Sequence, residues 1–478
     1  MSSITFRPQK KHNLSYIIRI CAVASLGGLL FGYDTSVISG AIDALKIYFQ
    51  LSPAETGWAV SNVVIGCVIG SIFSGEMARK IGRKKTLIIA ALLFTVSALG
   101  SAVVESFFWF VVYRMIGGVA VGLAAAVSPM YIAEVAPKDY RGTASAMNNF
   151  ALVFGQIVIF YVNYKIAQGM TEAWLVDVGW RYMIGSEVIP CLLFCLVVGF
   201  IPESPRWDAM RGRDDLALAT LSKISNPEHA KNLLAEIKAS MVNEVGQVSK
   251  QKVDFKRPGA IFIIIVACAL ATFQQLSGVN VMMYYAPTVL KTITGNIEEA
   301  MFQTIWIGVA QLVGIGIGAI LFDKLGRLPL MKTGAIGAAL GLLLTSYAMY
   351  TQNTGYLALV GMIFFMIFYA FSWGVGMWVL IGEIFPNYLR AQGLAIAVSF
   401  NWIFNFIVSQ SFPMMNENPY LLEKFHGAFP MWIFAGCCVI GFIFLIRYVP
   451  ETKGVSLEKM EPLMLSKLEQ RKKQTVYS

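Results

Sequence analysis

Charge is scarce in this chain. Asp, Glu, Lys and Arg make up 14% of its 478 residues, against roughly 25% in an average soluble domain. Histidine is scarcer: His12, His229 and His426 are the full set, all outside the long apolar runs, which argues against a His-based metal site. The cysteines (Cys21, Cys67, Cys191, Cys195, Cys268, Cys437 and Cys438) lie inside apolar runs without metal-ligand spacing. They read as small core-facing or lipid-facing residues. No Ser/His, Cys/His or metal constellation is present, so neither a membrane enzyme nor a cofactor is expected. No small-residue cleavage pattern follows the first apolar run, so no cleavable signal is expected.

What is abundant is apolar sequence. Hydrophobic residues make up 56% of the chain, and the mean hydropathy is +0.63. That composition predicts an all-α polytopic membrane protein with the lipid bilayer as its surroundings. The net charge of +10 is no nucleic-acid signature, because the basic residues sit in short loops between apolar runs.

Apolar runs of about 20 residues match a bilayer core of ~30 Å. They fall near 16–40, 56–78, 86–104, 108–133, 144–164 and 181–201, then near 258–290, 301–322, 330–350, 356–382, 391–413 and 429–449. Lys and Arg concentrate in alternate loops: Arg7, Lys10 and Lys11; Arg79, Lys80, Arg83, Lys84 and Lys85; Lys138 and Arg141; Lys324 and Arg327; Arg390. The opposite loops hold only Lys46, Lys165, Lys291, Lys424 and the edge residue Arg181. The positive-inside rule then places both termini in the cytoplasm and the chain in the cell membrane. The implied division is a segment 1–15, a six-helix half 16–202, a cytoplasmic linker 203–257, a second six-helix half 258–450 and a tail 451–478. In the linker, Asn226-Pro227-Glu228 forms a helix start, followed by Leu233, Leu234, Ile237 and Met241 at helical spacing. Short amphipathic helices under the bundle are expected there, with a frayed tail after Lys467.

The halves repeat. Glu134 to Arg141 reads E-x-x-P-x-x-x-R, and so does Glu383 to Arg390. Gly82-Arg83 recurs as Gly326-Arg327, and Pro202-Glu203-Ser204 as Pro450-Glu451-Thr452. The offsets are 249, 244 and 248 residues, at equivalent positions between spans. Membrane proteins with two related halves are mostly transporters that rock one half against the other around a central site.

These motifs, with Pro205-Arg206, Arg114 in the fourth span and Gln274-Gln275-Leu276-Ser277-Gly278-Val279-Asn280 in the seventh, resemble the sugar porter family of the major facilitator superfamily. The resemblance covers roughly 16–460. Phe31-Gly32-Tyr33-Asp34, Trp180-Arg181-Tyr182-Met183 and Ser186-Glu187 are most similar to the bacterial D-xylose/proton symporters.

A sugar needs amides for its hydroxyls and a flat aromatic surface for its C–H faces. The seventh span supplies Gln274, Gln275 and Asn280, then Tyr284. Six residues is not a whole number of helical turns, so Gln274 and Asn280 share a cavity only if the helix unwinds, as Gly278 allows. Amides also bond between membrane helices, but a pair, a break and a third amide point to substrate. The resemblance implies that Trp378, in a span interrupted by Gly374 and Gly376, faces the sugar. It further implies sugar-site roles for Phe31, Asn401, Trp402 and Gln311, with Gln156 nearby. Two positions depart from the family pattern. Asn149 stands where relatives carry a sugar-bonding Gln, and Val375 where they carry Pro.

A carboxylate within a span is costly. The resemblance makes Asp34 the proton-coupling group, with Arg114 and Glu187 modulating it; a static ion pair is the bland alternative. Glu134, Arg141, Glu383 and Arg390 are expected to pair across the halves when the inner side is closed, joined by Arg83, Arg327 and Glu203. Arg79 replaces an acidic or amide residue of the family, which predicts a weaker lock there than around Asp323. The reading is a proton-coupled monosaccharide symporter, D-xylose the first choice, working as a monomer by alternating access. A facilitative uniporter for glucose, another hexose, a pentose or a polyol is the alternative. A transporter-like sugar sensor would need a longer tail than the 28 residues after Pro450.

Overall fold

The computed structural model describes residues 12–248, 259–353, 355–386, 388–455 and 459–467; for 242–248, 323 and 391 only the backbone is described. Arg7, Lys10 and Lys11, linker residues 249–257 and the tail after Lys467 lie outside the described residues.

Among the described residues, twelve helices are long and apolar enough to cross a membrane. Spans one to six are Leu14–Tyr48, Pro53–Ile81, Arg83–Val103, Phe107–Val135, Lys138–Ala167 and Glu172–Val198. Spans seven to twelve are Ala260–Tyr284, Ile297–Phe322, Arg327–Tyr350, Leu357–Ile384, Gln392–Asn416 and Phe429–Tyr448. Six plus six were expected, at nearly these places. The first span runs eight residues beyond its apolar stretch, because Asp43 and Lys46 continue the helix and find partners across the bundle.

Among the described residues, three spans are broken within their length. The seventh divides into Ala260–Leu276, Val279–Tyr284 and Ala286–Thr294. Gly278 at the first break has φ +82° and lies against the Phe434 ring, where a Cβ would come within 2.5 Å. The tenth contains a π-helical turn, Ala370–Gly374, immediately before Val375. The span therefore has a local irregularity without the family's proline. The sixth carries a π-helical turn at Leu175–Gly179, and its helix is interrupted again at Ser186-Glu187.

Small residues set the helix spacing. The Gly66 Cα lies 2.9 Å from the point where a Cβ on Gly118 would sit, and the Val63 carbonyl oxygen only 2.1 Å away. The second and fourth spans approach backbone to backbone there, as small-residue contacts allow in a membrane.

The apolar core is divided unevenly. Ile17, Ile20, Ala24 and Leu30 at the start of the first span belong to a core confined mainly to the first half. Tyr33 to Leu45 of the same helix join one core with Met282, Val289 and Leu290 of the second half. The halves are thus fused at the end remote from the Gly-Arg loops. In the linker, helices Pro205–Met210, Asp214–Ile224 and Pro227–Val248 follow one another. Asn226 Oδ1 caps the third by accepting from the His229 N–H at 2.9 Å. Lys138 ties that helix to the first half through Glu236, at 2.8 Å.

Gly118→Val places side-chain atoms against a backbone carbonyl that cannot rotate away. The cost should be on the order of 1–3 kcal/mol, read as a lower thermal midpoint of the purified protein; an unchanged midpoint would contradict the close approach.

Candidate functional site

The duplicated motifs form two copies of one arrangement at the end bearing the Gly-Arg loops, the basic end. In the first half Glu203 accepts from the Arg83 and Lys84 N–H groups at 2.9 and 3.1 Å, beneath the start of the third span. In the second, Glu451 accepts from the Arg327 and Leu328 N–H groups at 3.1 and 2.9 Å, beneath the ninth. A carboxylate suits a helix N-terminus, where N–H groups have no helical partner. Burial pushes the Glu203 carboxyl above the usual range, opposed by donation from the Ser204, Lys84 and Arg83 N–H groups. Beside it the Arg83 guanidinium meets Glu134 at 2.7 Å, and Arg327 meets Glu383 at 2.8 Å. Ser204 and Thr452 donate their hydroxyls to the same two glutamates.

The sequence reading paired Glu134 and Arg141 with Glu383 and Arg390 across the halves in an inside-closed state. Here each glutamate is held within its own half. Arg141 is exposed, and Arg390 donates to the Phe385 carbonyl of its own loop at 3.1 Å. The Arg79 backbone carbonyl accepts from Trp207 Nε1 at 2.8 Å, so the linker pins this loop. The Asp323 side chain, its counterpart, lies outside the described residues.

Among the described residues, the charged bridges between the halves sit instead at the opposite end. Lys46 meets Glu417 at 2.5 Å. Asp43 accepts from the Thr288 hydroxyl at 3.0 Å and faces Lys291 at 3.8 Å; Lys291 also meets Glu172 at 3.1 Å. Gln410 donates to the Ala54 carbonyl and accepts from Ser61, both at 2.8 Å. Sequence reasoning missed this latch. Its residues lie far apart in the chain, and Lys46 and Lys291 registered only as minority loop charges.

Between the two ends lie the amides. Gln275 donates to Asn401 at 3.0 Å and accepts from Asn280 at 2.6 Å. Gln274 donates to the Trp373 carbonyl at 3.0 Å and accepts from Asn401 at 2.8 Å. The break at Gly278 thus brings Asn280 to Gln275 directly and to Gln274 through Asn401. Tyr284 is buried and faces Asn405. Trp378 and Gly374 are half-buried. Phe31 and Trp402 bring the halves together, with ring centroids 6.5 Å apart. Gln156 is buried and Gln311 half-buried, and each has a side-chain oxygen without a protein partner. Asn149 is exposed; seven residues before Gln156, it lies on the same helix face, while its neighbour Asn148 is buried.

Deep in the first half, Arg114 donates from Nη1 to Asp34 Oδ1 at 2.8 Å and from Nη2 to the Asp34 carbonyl at 3.1 Å. Glu187, at the interruption of the sixth span, faces Asp34. All three are at most 1% exposed. One guanidinium balances one carboxylate, so a second ionised carboxylate here would have no counter-charge. Asp34 Oδ2 and both Glu187 oxygens have no protein donor, which leaves them open to a proton.

The sequence model of the family described as "Sugar (and other) transporter" matches residues 20–464. The chain belongs to that family, within the major facilitator superfamily. It is 42% identical to the D-xylose-proton symporter of Escherichia coli K12 over 95% of this chain and 96% of the relative. Among solved structures, the inward open conformation of the xylose transporter XylE from E. coli superposes with a TM-score of 0.83, at 39% identity over 94% of this chain and all of that one. The proton:xylose symporter XylE bound to 6-bromo-6-deoxy-D-glucose gives 0.74, at 41% identity over 95% of this chain and all of that one. The better fit to the inward open form agrees with a bundle whose charged bridges between the halves, among the described residues, lie at one end. Members of this family carry solutes, so the chain is a transporter rather than an enzyme.

If Lys46 and Glu417 hold the latch shut, Lys46→Glu should open that end. Exposed ion pairs are worth about 0–1 kcal/mol, so labelling of a Ser61→Cys reporter by a maleimide should rise about two- to fivefold. The double exchange Lys46→Glu with Glu417→Lys should bring it back; equal labelling in all three proteins would remove the latch assignment.

Proposed function

We propose that this chain imports a monosaccharide, D-xylose, together with protons by alternating access across the cell membrane. It works as a monomer, with both termini and the basic end facing the cytoplasm. Residues 16–202 and 258–450 act as the two moving halves, joined by the linker 203–257 and flanked by the segment 1–15 and the tail 451–478. Gln274, Gln275 and Asn280 supply the amides, and Trp378, Phe31 and Trp402 the aromatic surfaces. Tyr284, Gln156, Gln311, Asn149 and Gly374 line the remainder.

The observation that carries proton coupling is the buried trio of Asp34, Arg114 and Glu187. A fully buried acid bonded to an arginine can bind a proton when the arginine moves and lose it when the arginine returns. The trio lies wholly within the first half, so rocking of the halves can expose it to one side at a time. The charge ladder at the basic end supports the cytoplasmic orientation. The identity to a D-xylose-proton symporter supports the choice of solute.

The test is uptake into proteoliposomes or transport-null cells. In the wild type, sugar addition should alkalinise the outer medium, and uptake should rise as external pH falls. An imposed gradient of one pH unit is worth about 1.4 kcal/mol, which supports about tenfold accumulation at one proton per sugar. Asp34→Asn should abolish accumulation and its pH dependence while sugar counterflow persists. Counterflow without alkalinisation in the wild type would mark a uniporter and defeat the coupling role of Asp34. Competition by unlabelled pentoses, hexoses and polyols should rank D-xylose first; a hexose at the top would change the solute but not the mechanism.

A further inference from the structure

An amide is nearly symmetric in shape but opposite in chemistry at its two ends, one accepting and the other donating. A pocket that tells sugars apart by hydroxyl pattern must fix which end of each amide faces the ligand. Here the amides form a chain whose direction is set by two backbone carbonyls, which can only accept. The Trp373 carbonyl, in the π-turn of the tenth span, takes a hydrogen bond from Gln274 Nε2 at 3.0 Å. Gln274 Oε1 therefore points the other way, to Asn401 Nδ2 at 2.8 Å. The Ala271 carbonyl takes the second hydrogen of that same nitrogen, at 3.3 Å. With its nitrogen so committed, Asn401 turns Oδ1 to Gln275 Nε2 at 3.0 Å. Gln275 Oε1 is left to accept from Asn280 Nδ2 at 2.6 Å.

We propose that Asn401 is a positioning residue: it sets the orientation of the Gln274 and Gln275 amides and makes no contact with the sugar. The inference rests on the reading of this cluster as the sugar site, and it departs from the sugar-contact role that resemblance gives Asn401. Both Asn401 N–H groups are spent on protein acceptors, and the residue is only 8% exposed. The valences left for a ligand are one N–H on each glutamine and one on Asn280, the Oδ1 of Asn280, and a second lone pair on each glutamine Oε1. The pocket thus offers a donor from each glutamine beside a donor and a free acceptor from Asn280. Without Asn401, Gln275 loses the partner that fixes its direction, and Gln274 Oε1 loses its donor.

The experiment measures affinity for D-xylose and its mono-deoxy analogues on purified full-length protein. It compares wild type, Asn401→Ala, Gln274→Ala, Gln275→Ala and the double variant Asn401→Ala with Gln275→Ala. Asn401→Ser is made alongside, so that a poorly folded alanine variant does not decide the matter. Asn401→Ala should weaken D-xylose binding about tenfold, the usual effect of leaving buried polar groups unpaired. The hydroxyls whose removal becomes silent should be those already silent in Gln274→Ala or Gln275→Ala. The double variant should fall short of the product of the two single losses, because the part of the Asn401 effect that runs through Gln275 is already gone. A hydroxyl silent only in the Asn401 variants, or losses that multiply in the double variant, would show direct sugar contact and overturn the proposal. Wild-type protein that binds no monosaccharide would instead overturn the functional reading, and this inference with it.

Discussion

Each half is locked at its basic end by the same pair of interactions, a carboxylate under a helix N-terminus and an arginine–glutamate pair beside it. The rest of the molecule depends on this lock. Because Glu203 and Glu451 tie the end of one span to the start of another, the helices of a half move together. Freedom is then left mainly at the boundary between halves, where the Lys46–Glu417 and Asp43–Lys291 bridges lie. Stiff halves and a breakable seam are what a rocking mechanism requires. The partly buried Arg83–Glu134 pair is screened less by solvent than the more exposed Lys46–Glu417 pair, which suits a lock that persists and a latch that opens.

The polar centre follows the same division of labour. The buried trio of Asp34, Arg114 and Glu187 is built within the first half, from the first, fourth and sixth spans. The amide chain is built within the second, from the seventh, tenth and eleventh. The Phe31 and Trp402 rings are where the two meet. Coupling sugar to protons therefore needs no shared ligand. It needs only that both sites respond to the one equilibrium between the halves.

Much of this was legible in the sequence because it rests on short-range rules. Span positions follow from apolar run length, and the helix start at Asn226 from capping chemistry. The break at Gly278 follows from a glycine between amides that no straight helix could bring together. The duplicated loops were visible because Glu, Pro and Arg recur at matched intervals. What stayed hidden depends on distant residues meeting. Nothing near Lys46 points to Glu417, 371 positions away. Nor does sequence spacing say that Arg83 turns to Glu134 of its own half in this state. Asn401 was singled out by resemblance, but its two committed N–H groups are a property of packing. In the tenth span the family's proline is absent at Val375, and a π-turn that ends at Gly374, one of the two glycines that marked the span as interrupted, breaks it there.

That turn has a genealogical side. A π-helical turn is what an α-helix becomes when it absorbs one extra residue without displacing its ends. Loss of a single residue between Ala370 and Gly374 could close it into ordinary helix. The helix on either side, Trp378 included, would keep its facing, but the turn itself would tighten and carry the Trp373 carbonyl away from Gln274. In this span the extra residue serves the Trp373 carbonyl, so a one-residue deletion would disturb the amide chain while leaving the rest of the helix in register.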